Sequence, residues 1–151
     1  MSKGSANVRE VKRVSLSDKY TKKSGAVFMT GVQALVRLVL EQARRDREAG
    51  FDTSGFVSGY RGSPLGGLDM ELWGSAEFLK ENNIHFQPAV NEELAATAIV
   101  GTQQVGLYPD AKGEGVFSMW YGKGVGADRA SDALKHANLM GTSPKGGVLV
   151  V

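Results

Sequence analysis

The sequence predicts an α/β domain whose open, mainly parallel sheet is flanked by helices. Three observations predict it. Short apolar runs alternate along the chain with segments of helical periodicity, the order that builds parallel strands joined by crossover helices. The strand-like runs end in clusters of glycine and small polar residues, as strand-to-helix turns do. The 151 residues are 42% hydrophobic and 23% charged, the composition of a globular domain with a core of its own.

The clearest helix is "TGVQALVRLVLEQARRDREAG", where Val32, Leu35, Val36, Val39, Leu40 and Ala43 recur at helical spacing. Thr30 and Gln33 have the spacing of a capping box, and Gly50 is a C-terminal stop. "GFVSGY" reads as a short buried strand, broken by "RGSPLGG". Leu68, Leu72, Ala76 and Leu79 mark a second helix that ends at Asn82 and Asn83. "IHFQPAV" is the second strand, in which Pro88 limits hydrogen bonding. Asn91 is a natural N-cap for a third helix, with Leu94, Ala95, Ala98 and Val105 expected on its buried side. "GVFSMWY" is the third strand and "GKGVGADR" a glycine-rich turn. Ala130, Ala133, Leu134 and Ala137 line a fourth helix, and "GGVLVV" begins a fourth strand. That last strand stops in mid-run, although a parallel strand needs cover on both sides, so the chain is expected to be a piece of something longer.

Composition excludes several kinds of chemistry. Cysteine is absent, so this segment builds no disulfide, thiolate nucleophile or iron–sulfur cluster. His85 and His136 stand alone, without the ligand spacing of a zinc site. No apolar run approaches the length of a membrane span, and no secretory core opens the chain, which makes cytoplasmic residence the expectation. The net charge of +2 hides an asymmetry: residues 1–25 carry seven Lys/Arg against two acids, and residues 26–151 carry eleven against fourteen. The first 25 residues therefore read as a basic lead-in to the domain proper. Tyr20 is its one aromatic and no basic face follows, so a tail docking on a neighbour suits it better than a nucleic-acid arm.

In sheets of this kind ligands gather beyond the carboxyl ends of the strands. Three turns lie there: "YRGSPLGG", "NEE" and "YGKGVGADR". In the last, Gly122, Gly124 and Ala127 match the G-x-G-x-x-A pattern of a dinucleotide site. It is the third such turn rather than the first, however, and no carboxylate follows at the ribose-binding distance, so a tight turn is the stronger reading. In "SGYRGSPLGGLD" the free backbone amides and the Ser63 hydroxyl could receive a carboxylate or phosphate, with Arg61 as a two-pronged donor. A tight turn with Arg61 paired on the surface fits equally well. Glu92 and Glu93 could both be charges that favour a helix N-terminus. The small residues behind them, Ala95, Ala96, Thr97, Ala98 and Gly101, admit close packing, which suits a buried acid/base role for one of the two.

"FVSGYRGSPLGGLD", "NEELAATAIVGTQ" and "FSMWYGKG…DALKHAN…GTSPKGGVLVV" together resemble the N-terminal part of the fused bacterial indolepyruvate ferredoxin oxidoreductases, from about Val14 to the final residue. These are thiamine-diphosphate-dependent 2-oxoacid:ferredoxin oxidoreductases. The resemblance implies that residues 26–151 are most of a pyrimidine-binding domain, cut before its last strands. The family's glutamate at a strand exit, nine residues before a helix glycine, falls on Glu92, with Gly101 as that glycine. In the family it bonds N1′ of the aminopyrimidine, and a proton shared there readies the ring to take the thiazolium C2 proton. The family loop of the type Y-P-x-T-P aligns with "YRGSP", which gives Ser63 and Pro64 cofactor contacts and Ser63 a substrate contact as well. Arg61 stands where that loop has proline, so its pairing with the substrate carboxylate is inferred from its chemistry. "KGVGADRASD" departs from the usual "KGPGVDRSGD" at Val125 and Ser131.

The implied activity is oxidative decarboxylation of an aryl 2-oxoacid to its acyl-CoA, with coenzyme A as co-substrate and ferredoxin as electron acceptor. Mg²⁺ would be held by a domain outside this chain, and any iron–sulfur clusters would also lie elsewhere. The expected partners are those domains, a second protomer in a homo-oligomer, and ferredoxin; nucleic acid and membrane are not expected. Alone, the chain is expected to be inactive. A Rossmann-type dinucleotide fragment and a non-catalytic relic of the same fold are the alternatives.

Overall fold

The computed structural model describes residues 14–62 and 65–151. It is an α/β domain with one open sheet of four strands, all parallel, in the order β2-β1-β3-β4. The strands are β1 (Thr53–Gly59), β2 (Ile84–Phe86), β3 (Gly115–Tyr121) and β4 (Gly147–Val150). Between and before them run helices α1 (Asp18–Thr21), α2 (Gly31–Glu48), α3 (Gly66–Gly74), α4 (Ala76–Glu81), α5 (Glu92–Gln103), α6 (Gly124–Arg129) and α7 (Ser131–Met140). The central pair is in register from Thr53 opposite Gly115 to Gly59 opposite Tyr121. From β1 the chain moves outward to β2, then crosses back to β3 on the other side of β1. Strand order thus reverses between β1 and β3, the point at which open parallel sheets bind ligands.

Side chains alternate across the sheet and fill two layers. Val57, Phe117, Met119 and Tyr121 face Val36, Val39, Leu40, Leu68, Leu72 and Leu79 of α2, α3 and α4. Trp120, with Phe56 and Val148, faces Ala95, Ala96 and Ile99 of α5 and Ala130, Ala133 and Leu134 beyond it. The first layer uses large side chains. On the helix side of the second, alanines predominate.

Local chemistry explains the boundaries. The Gln33 N–H donates to Thr30 Oγ1 at 3.2 Å and the Thr30 N–H to Gln33 Oε1 at 3.0 Å, the expected capping box of α2. Gly50, at φ +79°, turns the chain out of α2. Pro88 has no N–H to give, and pairing with β1 passes over it: Gln87 N donates to Val57 O and Ala89 N to Gly59 O. The lead-in docks, where described, on the chain itself: Arg37 of α2 donates to the carbonyls of Lys19 at 2.8 Å and Lys22 at 2.7 Å. Residues 1–13 lie outside the described residues.

Several expectations need correction. The second helix is two, broken at Ser75 behind Gly74, a weak helix former. The break turns Leu79 inward and leaves Ala76 exposed. "GKGVGADR" is not a plain turn, since α6 occupies most of it. The buried side of α5 is Glu92, Ala95, Ala96, Ile99 and Gln103, with Leu94 and Ala98 exposed. That stripe keeps helical spacing but begins and ends on polar residues, which apolar periodicity passes over. Among the described residues no helix is long and apolar enough to cross a membrane.

Candidate functional site at the carboxyl edge

All four strands end at one edge, and the turns after β1, β2 and β3 meet there. The turn after β2 delivers Glu92. Asn91, in extended backbone, accepts the Leu94 N–H on its side-chain oxygen at 2.8 Å and so starts α5. The indole N–H of Trp120 donates to the Glu92 carbonyl at 3.1 Å, which ties this first turn to β3. Glu92 as a whole residue is only 6% exposed. It lies against Gly126 of α6, where a Cβ would sit 2.5 Å from Glu92 Cγ and 2.6 Å from its Oε1. Any side chain at Gly126 would displace the acid.

Among the described residues the Glu92 carboxylate has no hydrogen bond and no ion pair. The helix N-terminus favours a negative charge by about 0.3–1 kcal/mol. Glu93 is a contrast: 55% exposed, it pairs with Arg129 at 3.8 Å, a surface contact of small worth.

The turn after β1 delivers Arg61, 68% exposed, its Nε 4.0 Å from Asp69 Oδ2. Asp69, in the first turn of α3, is buried, and the phenol of Tyr121 at the end of β3 donates to its Oδ1 at 2.7 Å. Burial first, and then the Asp69 carboxylate, raise the pKa of this phenol. Gly59 permits the arrangement, because a Cβ there would lie 2.4 Å from the Tyr121 ring. Ser63 and Pro64 lie outside the described residues.

The site therefore has two halves. Arg61 belongs with Asp69 and Tyr121 on the α3 face, while Glu92 sits with Gly126 on the α5 face, and no hydrogen bond or ion pair joins Arg61 to Glu92. The close packing expected behind Glu92 holds for Ala95 and Ala96 only. Thr97, Ala98 and Gly101 are exposed, and a Cβ at Gly101 would meet nothing within 4 Å. In the G-x-G-x-x-A stretch, Gly122 is explained by the Trp120 ring, 2.6 Å from where its Cβ would be, whereas Gly124 faces open space. Sequence reading missed Asp69 and Gly126. An acid between Leu68 and Leu72, on the buried side of a helix, was the available signal for the first. Among the described residues no group of three or more His, Cys, Asp or Glu could hold a metal ion.

Fold and site together define a class: an open parallel α/β domain with a buried, unpaired acid at the carboxyl edge. Comparison with protein-family models, with curated proteins and with solved structures finds no match to the chain.

Proposed function

We propose that the chain is the N-terminal segment of an indolepyruvate:ferredoxin oxidoreductase-like enzyme and forms its thiamine-pyrimidine-binding domain. The observation that carries this reading is Glu92, a residue buried at the ligand-binding edge of the sheet whose carboxylate has no partner among the described residues. A carboxylate with no hydrogen bond among the described residues can share a proton with a weakly basic ring nitrogen. Gly126 leaves it room and Asn91 fixes its helical turn, so its reach is set before any ligand arrives.

Thiamine diphosphate, when bound, supplies the electron sink for decarboxylating a 2-oxoacid. In this reading the chain's own residues do the rest at this edge. Glu92 holds a proton at N1′ of the aminopyrimidine, and Arg61 offers its guanidinium to the carboxylate of the aryl 2-oxoacid. Ser63 and Pro64 complete the contacts. The Mg²⁺ and diphosphate site, the iron–sulfur clusters and the coenzyme A site belong to other domains or a second protomer, and ferredoxin takes the electrons.

The test is to combine the chain with the missing portion and follow indolepyruvate-dependent ferredoxin reduction. Glu92→Gln keeps the shape of the side chain and should lower turnover by about 10²–10⁴-fold, the usual worth of a positioned proton carrier. Turnover close to wild type would remove Glu92 from the chemistry.

A further inference from the structure

Asp69 is the second buried acid at the carboxyl edge, and the reading above gives it no task. Its own position is firmly set. Leu68 and Leu72, on the same face of α3, are fully buried, and the equally buried Tyr121 occupies its Oδ1 at 2.7 Å. Among the described residues its Oδ2 has one ion-pair partner, the Nε of Arg61 at 4.0 Å, beyond hydrogen-bond range but within reach of charge. Stability alone does not account for this pair. Arg61 is 68% exposed, and an ion pair to so wet a cation returns little of what it costs to bury the acid.

The side of approach is informative. A guanidinium has five donors in a plane, on Nε and on two terminal nitrogens. Asp69 lies on the Nε side, and among the described residues Arg61 makes no other ion pair or hydrogen bond. The end that carries both terminal nitrogens stays open, and it matches the two oxygens of a carboxylate. We propose that Asp69 is a positioning residue: anchored by Tyr121, it holds Arg61 at the carboxyl edge so that its terminal nitrogens receive a small monoanionic carboxylate. A dianionic phosphate would meet the negative charge of Asp69 a few ångströms behind the arginine, so the pair discriminates against it. That this carboxylate is the substrate's own rests on the function proposed above; the positioning of Arg61 does not.

The test uses phenylglyoxal, which modifies accessible arginines, with the rate at Arg61 read by peptide mass spectrometry. Phenylpyruvate should slow modification of Arg61 in the wild-type chain at concentrations where inorganic phosphate does not. Asp69→Asn still accepts the Tyr121 hydroxyl but lacks the charge, and it should need about fivefold more phenylpyruvate for equal shielding, the worth of one lost charge contact at an exposed arginine. Tyr121→Phe, which frees Asp69 from its anchor without changing charge, should shift the requirement the same way by about threefold. Wild-type shielding in an Asp69→Asn chain that melts normally overturns the proposal, as does absence of shielding in the wild type. Phosphate shielding as strong as that by phenylpyruvate overturns the carboxylate assignment. If Asp69→Asn does not fold, Tyr121→Phe decides, and wild-type shielding there is fatal. Shielding is read without thiamine diphosphate and independently of turnover, so failure of the thiamine reading and failure of this one give different results.

Discussion

Asp69 and Glu92 are both buried acids in the first turn of a helix, one on each face of the sheet, and their surroundings differ in kind. Asp69 is answered from within the domain by the Tyr121 hydroxyl and by the charge of Arg61. Among the described residues Glu92 is answered by shape, in the space left by Gly126. An acid with partners in its own fold stabilises and positions. One held by packing leaves its carboxylate open to a ligand. Under the proposed function the difference separates a supporting residue from a reacting one.

The largest expected effect comes from filling the space beside Glu92. Gly126→Val should destabilise the chain by up to about 3 kcal/mol through overpacking, read from the urea midpoint. An unchanged midpoint would mean that Glu92 is not wedged there. Asp69→Ala should cost about 2 kcal/mol, because the buried Tyr121 hydroxyl loses its acceptor, and the double variant with Tyr121→Phe should recover part of that loss. A smaller effect is expected at high pH. The Tyr121 phenol has its pKa raised, chiefly by burial, and burial with the Glu71 bond raises that of Tyr20 to about 12. Above the ordinary phenol value, about 10, the folded chain keeps protons that the unfolded chain releases. Stability should therefore fall as pH rises from about 10 through 12, and less steeply in Tyr121→Phe, as followed by thermal melts. Smallest of all should be Glu92→Gln, within about 1 kcal/mol of wild type and on the stable side, because it removes a charge that has no partner among the described residues. A large loss there would erase the contrast with Asp69.

Much of this was legible in the sequence. The capping box of Thr30 and Gln33, the stop at Gly50, the cap at Asn91 and all four strands follow from local chemistry and periodicity, and so does the parallel sheet. The buried face of α5 was not legible, because its ends are Glu92 and Gln103. Gln103 earns its interior place from afar: its amide donates to Val116 O at 2.9 Å and accepts from Gly147 N at 2.8 Å. The partner of Asp69 lies 52 residues away, beyond any local pattern. The size of Gly126 likewise makes sense only once α6 is folded against α5. Burial of Glu92 was foreseen; that packing rather than a partner achieves it was not.

The central claim is that Glu92 tunes the proton at a bound aminopyrimidine. Its most direct measurement is the exchange of the thiazolium C2 proton for deuterium in the assembled enzyme, followed by NMR without any 2-oxoacid. The account expects Glu92→Gln to slow that exchange by at least about 10²-fold and Glu93→Gln to leave it unchanged. Equal rates in wild type and Glu92→Gln would contradict it.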